Sequence, residues 1–250
     1  MPEALFQVRG LTKSYNGRTV LDHLDFDVLR GECLVILGRS GSGKSTLLRI
    51  LAGLDAPSEG EVLVNGAFVS GPGRILVPPH RRGISMVFQD LALWPNLSVL
   101  GNVLLGLSAA RLTRKEKHAR AREALAMCSI ERLARRMPGE ISGGEEQRAA
   151  LARAIALRTT FLFLDEPFSG LDLVTKAQIV DELKTLATRA GLTVVLVSHD
   201  PLDAMSLCNG AMVLEEGTAV EEGPLETLLR APRSRLLEVF KERLQPGRGR

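Results

Sequence analysis

The passage that most constrains this chain begins with an unbroken apolar run, Cys33-Leu34-Val35-Ile36-Leu37. It passes directly into Gly38-Arg39-Ser40-Gly41-Ser42-Gly43-Lys44-Ser45-Thr46. So short a run without polar alternation predicts a strand buried on both faces, as in a parallel sheet covered by helices. Beyond the loop, Leu47, Leu48, Leu51 and Leu54 recur at helical spacing and are expected on one side of a helix. Strand, glycine loop and helix in this order predict an α/β core.

Around that core the apolar pattern is consistent. Leu5–Leu11 and Val20–Leu29 read as strands flanking the turn Asn16-Gly17-Arg18, and Glu61–Val64 and Ile84–Phe88 as short strands separated by Gly71-Pro72-Gly73 and Pro78-Pro79. From about residue 90 to 157 the character turns helical, with Arg114–Met127 rich in Arg, Lys, Glu and Ala and a second helical run after Gly144. Phe161–Leu164 and Thr193–Ser198 are again buried strands, with a helix from about Val174 to Ala190 that stops at Gly191. This reads as a single domain over 1–250 with a helical subdomain inserted at about 90–157. The tail from Arg230 carries Pro232, Pro246, Gly247 and Gly249 among charges, and a frayed end is expected.

Composition excludes several classes. Hydrophobic residues at 45% and charged residues at 24% are those of an ordinary globule. The longest apolar stretches, Val194–Val197 and the interrupted Leu97–Leu107, fall short of a membrane span. Met1-Pro2-Glu3-Ala4 lacks the basic and apolar regions of a signal peptide, so the chain is expected to stay where it is made. Cys33, Cys128 and Cys208 are far apart without a CxxC pair, and reduced, buried thiols are expected. The run Arg111, Arg114, Lys115, Lys117, Arg120 and Arg122 is interrupted by Glu116 and Glu123, which predicts a solvated helix face and no nucleic-acid partner. Trp94, in Leu93-Trp94-Pro95, is either core packing or a contact site.

The loop at 38–45 fits the pattern Gly-x-x-x-x-Gly-Lys-Ser. Its glycines let backbone N–H groups curl around phosphate oxygens, and the next helix offers its positive N-terminal end. Lys44 would reach the β- and γ-phosphates, and Ser45 would offer a hydroxyl to a Mg²⁺ bridging them. Phe161-Leu162-Phe163-Leu164-Asp165-Glu166 ends a buried strand in two carboxylates, the usual mouth of a site in a parallel sheet. Asp165 suits the metal. Glu166 can act as general base toward the attacking water.

Ile141-Ser142-Gly143-Gly144-Glu145 resembles the signature of the ABC ATPases, and nearly the whole chain follows that family's order. Gln89 is similar to the Q-loop glutamine, Ser169-Gly170-Leu171-Asp172 to the D-loop, and His199 to the switch histidine. Tyr15 stands where the family places an aromatic against adenine. The resemblance implies a P-loop NTPase core with a parallel sheet, an antiparallel β subdomain and an inserted α-helical subdomain. It implies ATP as substrate, Mg²⁺ held by Ser45, Gln89 and Asp165, nucleotide contacts from Tyr15 and 38–46, and catalysis by Glu166, His199 and Gln89. Ser142, Gly143, Gly144 and Glu145 would complete the nucleotide pocket of a second copy, so a dimer, and most simply a homodimer, is implied.

The segment after Gln89 resembles the importer type, which implies separate transmembrane permease subunits, an external solute-binding protein, and a place on the cytoplasmic face of the membrane. A soluble ABC-type ATPase for assembly work, or an exporter accessory ATPase, is the competing reading. The signature departs from the commoner pattern at Ile141, for Leu, and at Glu145, for Gln; the charge of Glu145 near phosphates is expected to weaken closure. Importer relatives often carry a regulatory domain after the motor, and with 250 residues regulation through such a domain is not expected here.

Overall fold

The computed structural model describes residues 4–244. The expectations of a start without a signal segment, at Met1-Pro2-Glu3, and of a frayed end, at 245–250, fall on positions outside the described residues. Along the chain run β1 (Ala4–Tyr15), β2 (Arg18–Leu29), β3 (Cys33–Leu37), α1 (Lys44–Ala52), β4 (Glu59–Val64), β5 (Ala67–Gly71), β6 (Arg74–Ile75) and β7 (Ile84–Val87). Then come α2 (Val99–Gly106), α3 (Arg114–Met127), α4 (Gly143–Ala156), β8 (Phe161–Asp165), α5 (Leu173–Ala190), β9 (Thr193–Ser198) and α6 (Pro201–Leu207). The chain finishes with β10 (Gly210–Glu215), β11 (Thr218–Pro224), α7 (Leu225–Arg230) and α8 (Arg235–Leu244). The architecture is mixed α/β, and two compact units divide it: Met1–Ile84 with Thr193–Arg250, and Ser85–Leu192.

In the first unit, an antiparallel sheet has the order β2-β1-β4-β5-β6. Its first hairpin turns at Asn16 and Gly17, both at positive φ, the two-residue connection whose twist matches that of the flanking strands. A second sheet carries the order β11-β10-β3-β9, with β3 parallel to both β10 and β9. Both faces of β3 are covered, as its unbroken apolar run requires, and Leu34 to Leu37 are buried. α1 stops at Gly53, whose left-handed backbone caps the helix. Leu54 therefore leaves the helix and is 46% exposed, against the expectation that it would share the buried side with Leu47, Leu48 and Leu51.

A buried arginine holds this unit together. Arg82 donates to the Ile50 and Leu51 carbonyls at the end of α1 (3.2 and 2.9 Å), to Val69 O (3.1 Å), Val77 O (2.8 Å) and Ser70 Oγ (2.6 Å). Burial lowers its pKa to about 10, and the carbonyl cage compensates a charge that would otherwise be expensive to desolvate. The cysteine expectation is corrected here: Cys33 and Cys208 form a disulfide with Cα atoms 4.5 Å apart, and only Cys128 is free. The parallel register that sets Gly210 opposite Leu34 brings Cys33, at the start of β3, beside Cys208, two residues before β10, although 175 positions separate the two in sequence.

In the second unit β7 and β8 are neighbours, and α4 packs against α2, α3 and α5. Ala149, Ala150, Ala152, Ala154 and Ala156 of α4 are buried, small enough for helices to approach on several sides. Arg148 on α4 pairs with Glu182 on α5 and also reaches Gln178 and the Cys128 carbonyl. Burial pushes the Cys128 thiol up to about 12. α3 opens on a capping box, Thr113 with Glu116, which explains why that acid interrupts the basic run. No helix among the described residues is long and apolar enough to cross a membrane.

Candidate functional site

The first unit gathers three of the expected elements. The loop after β3 closes tightly: a Cβ on Gly38 would lie 2.4 Å from Leu214 O, and Gly43, at φ 100°, would meet Leu21 Cδ2 at 2.6 Å and Val20 O at 2.8 Å. Glycine is thus required twice, once by contact and once by both contact and backbone. Lys44 is 5% exposed, and its Nζ donates to the carbonyls of Gly38 (2.8 Å) and Arg39 (2.9 Å), so the ammonium arches back over the loop that precedes it. The buried Ser42 Oγ has no hydrogen-bond partner among the described residues. Ser45 and Thr46 stand in the first turn of α1, where backbone N–H groups lack partners within the helix.

The parallel pairing of Leu37 with Ser198 makes β3 and β9 end together, so Gly38 and His199 leave the same edge of the sheet. His199 is exposed there. Ser198 Oγ donates to Asp203 (2.6 Å) and accepts from the Asp200 N–H (3.0 Å), holding the turn that carries the histidine. Tyr15 closes β1 at 41% exposure, its hydroxyl bonded to Asp55 and the Lys13 ammonium 4.7 Å from its ring centroid. Burial and the Asp55 carboxylate raise the Tyr15 pKa. Burial alone would raise Asp55, but hydrogen bonds from Lys13, Tyr15 and the Ala56 amide outweigh it and hold that carboxyl below its ordinary range. An interaction between Tyr15 and Thr46 ties the tyrosine to the loop helix.

The second unit places the other expected residues. Asp165 ends the wholly buried β8 at 7% exposure, and Glu166 follows at φ 46°, a left-handed conformation unusual for a residue with a side chain. Ser142 caps α4. Its Oγ accepts from the Glu145 N–H (3.4 Å), while the Glu145 carboxylate accepts from the Ser142 N–H (3.0 Å) and from its hydroxyl (3.1 Å). These bonds, with Arg132 at 3.1 Å, keep the Glu145 carboxyl below its usual range, the Ser142 amide contributing most. An acid at this position is what a capping box asks for.

The two signature glycines differ. Gly143 faces open space, whereas a Cβ on Gly144 would come within 2.6 Å of Thr175 Cγ2 on α5. Asp172 caps α5, accepting from the Val174 and Thr175 N–H groups at 3.0 Å; a hydrogen bond from the Thr175 side chain, and then these amide bonds, lower its pKa.

Gln89 is exposed two residues beyond β7. The chain just after it, Leu91 and Ala92, takes positive φ values of 57° and 45°, and Arg153 of α4 donates to both carbonyls (2.6 and 2.5 Å). Sequence reasoning missed Arg153; its signal is a cation among the buried alanines of α4. It also missed Asn102. That fully buried amide accepts from Trp94 N–H (2.7 Å) and donates to Trp94 O, Leu97 O and Ser98 O (3.0–3.1 Å). Trp94, held by its backbone, is 55% exposed, which excludes core packing.

Comparison with known proteins shows the family and the fold. A family model described as ABC transporter matches residues 21–169. The putrescine transport ATP-binding protein PotG of Escherichia coli (strain K12) is 38% identical over 94% of this chain and 61% of its own length. The Fe(3+) ions import ATP-binding protein FbpC of Streptomyces avermitilis is 43% identical over 89% of this chain and 63% of its own. The chain thus spans less than two thirds of the length of these curated relatives. Among solved structures, the dimeric post-hydrolysis state of the ATP-binding cassette MJ0796 bound to ADP and Pi has a TM-score of 0.79 and 33% identity, over 88% of this chain and 99% of that one.

Proposed function

Because the chain belongs to the ABC transporter family, we propose that it binds and hydrolyses ATP and energises a membrane transporter, an importer, through ATP-driven closure of a dimer. The observation that carries the reading is the tight loop at 38–43 with Lys44 arched over it and His199 leaving the same sheet edge. In this reading the loop amides and Lys44 take the β- and γ-phosphates, and Tyr15 lies against the adenine. Ser45 hydroxyl, Asp165 carboxylate and Gln89 amide are hard oxygen donors, the set that suits Mg²⁺ alongside substrate phosphates. That ion, when bound, neutralises charge developing on the phosphate oxygens.

Glu166 takes a proton from the attacking water as its oxygen bonds to the γ-phosphorus and the bond to the ADP oxygen breaks. His199 holds the γ-phosphate and water in line. Ser142 with the Gly143 and Gly144 amides contacts the nucleotide of a second copy, and Asp172 lies at that interface. With Glu145 drawn into its own capping box, the charge nearest the signature is partly spent on backbone donors. This moderates the repulsion expected from a Glu at that position.

Separate permease subunits, with an external solute-binding protein, would select the cargo, and the chain would act as a peripheral subunit on the cytoplasmic face. Relatives named for putrescine and for ferric ion show cassettes of one kind serving chemically different cargo.

The test is the Glu166→Gln variant, tagged and drawn from detergent-solubilised membranes with ATP. It is expected to retain ATP, dimerise, lose at least about 100-fold in turnover, and bring a polytopic membrane protein with it. Near-normal hydrolysis would remove Glu166 from the role of base. Repeated recovery of soluble partners alone would replace the transporter by an assembly ATPase.

A further inference from the structure

Apart from these residues, the second unit contains a cavity of about 300 Å³ where α3 meets the ends of α4 and α5. Its buried lining is apolar but for the Ser85 hydroxyl, which donates to the Phe161 carbonyl (3.3 Å); the rest is Ala124, Ala154, Ala156 and Leu162, with Met127 and Leu192 beside them. Its more exposed lining is charged: Arg120, Arg158, Arg189 and Glu123, a net charge of +2. Glu123 is spent on Arg158 at 2.6 Å. Arg120 and Arg189 make no ion pair among the described residues. Glu116, one turn before Arg120, already accepts from the Thr113 amide and hydroxyl at 2.7 Å.

We infer that this cavity is a binding site for a small amphipathic carboxylate, its alkyl body against the alanines and Leu162 and its carboxylate between Arg120 and Arg189. An apolar recess with a few converging polar groups is the usual form of a small-molecule site. Arg120 feels the charge of Glu116 without an ion-pair contact to it, and Arg189 has no ion pair among the described residues; a carboxylate matches such guanidinium groups in geometry and charge and can accept two parallel N–H bonds from either. At about 30 Å³ per water-sized group, the space accommodates roughly ten non-hydrogen atoms. An eight-carbon carboxylate has that size. The α3 side chains outside the cavity, Arg114, Lys115, His118 and Arg122, line a separate groove with no apolar residue larger than Ala119, and do not meet this description.

The probe is octanoate, titrated calorimetrically into the protein without nucleotide, so that the outcome is independent of the ATP-site assignment. One saturable site per chain is expected, with 1-octanol and inorganic phosphate each at least about tenfold weaker, because each lacks one half of the recognition. The double variant Arg120→Gln with Arg189→Gln should lose octanoate affinity by about tenfold or more and leave 1-octanol affinity unchanged. If the double variant does not fold, Arg189→Gln alone, at an exposed position, carries the same test. Absence of saturable octanoate binding, equal binding of phosphate, or unchanged octanoate affinity in the folded variant would overturn the assignment.

Discussion

Glu166 combines two properties that oppose one another, a carboxylate at the mouth of a buried strand and a left-handed backbone at φ 46° immediately before Pro167. The conformation costs a residue with a Cβ on the order of 1–2 kcal/mol, and glycine would escape it at an entropic cost of roughly 0.5–1 kcal/mol. Glu166→Gly relieves that backbone strain and also removes the contact its side chain makes in the fold; the two offset one another, so Tm should change by no more than roughly 1–2 °C, while turnover disappears. A calorimetric melt beside an ATPase assay checks this; a large drop in Tm would show that the side chain supports the fold and not the chemistry. The cysteines give a second residue-scale prediction. Thiol titration in denaturant should find one reactive group per chain before reduction, from Cys128, and three after it. In the folded protein Cys128 should stay unreactive at neutral pH, since burial pushes its pKa to about 12 and the thiolate is the reacting form. Three thiols before reduction would dissolve the Cys33–Cys208 link.

At the scale of elements, α4 gives its two first glycines separate duties. Gly144→Ala would drive a Cβ to 2.6 Å from Thr175 Cγ2, overpacking that costs about 1–3 kcal/mol, and Thr175→Ser, which removes the offending methyl, should recover most of it. Gly143→Ala meets nothing within 4 Å and should leave Tm unchanged while impairing ATP-driven dimerisation. Equal Tm losses for the two single variants would cancel this division. The motif itself was legible in the sequence because its information is local: loop glycines, a strand ending in Asp165-Glu166, and Ser142 three residues before Glu145 are patterns of adjacent positions. The helix Arg114–Met127 was legible for the same reason, through composition and its Thr113 start. What could not be read was set by partners far along the chain. Arg82 looks like any surface cation until its carbonyl cage is seen, and Arg153 becomes a clamp only when α4 lies beside the Leu91–Ala92 turn. Leu54 fitted the helical spacing, but the Gly53 cap ends the helix before the spacing can act.

For the whole molecule, the decisive question is whether the signature of one chain serves the phosphate loop of another. A two-fold dimer of that kind holds two composite sites, each made from the Lys44 side of one chain and the Gly143 side of its partner. Lys44→Ala disables the first half and Gly143→Asp, which sets a bulky anion toward the expected γ-phosphate, disables the second. A dimer of either variant alone then contains no intact site. In a mixed dimer the defects coincide in one site, and the other joins an unaltered Lys44 to an unaltered Gly143. Random pairing of equal amounts makes half the dimers mixed, each with one working site of two, so mixing two nearly inactive proteins should restore about a quarter of the parental sites. The measurement is steady-state ATP turnover before and after mixing, with native mass to follow dimer formation. Turnover that rises toward that level shows that the site is shared between chains. Turnover that stays at the sum of the separate variants, although mixed dimers form, means that each chain closes its own site, and the role of Ser142, Gly143 and Gly144 across the interface would be lost.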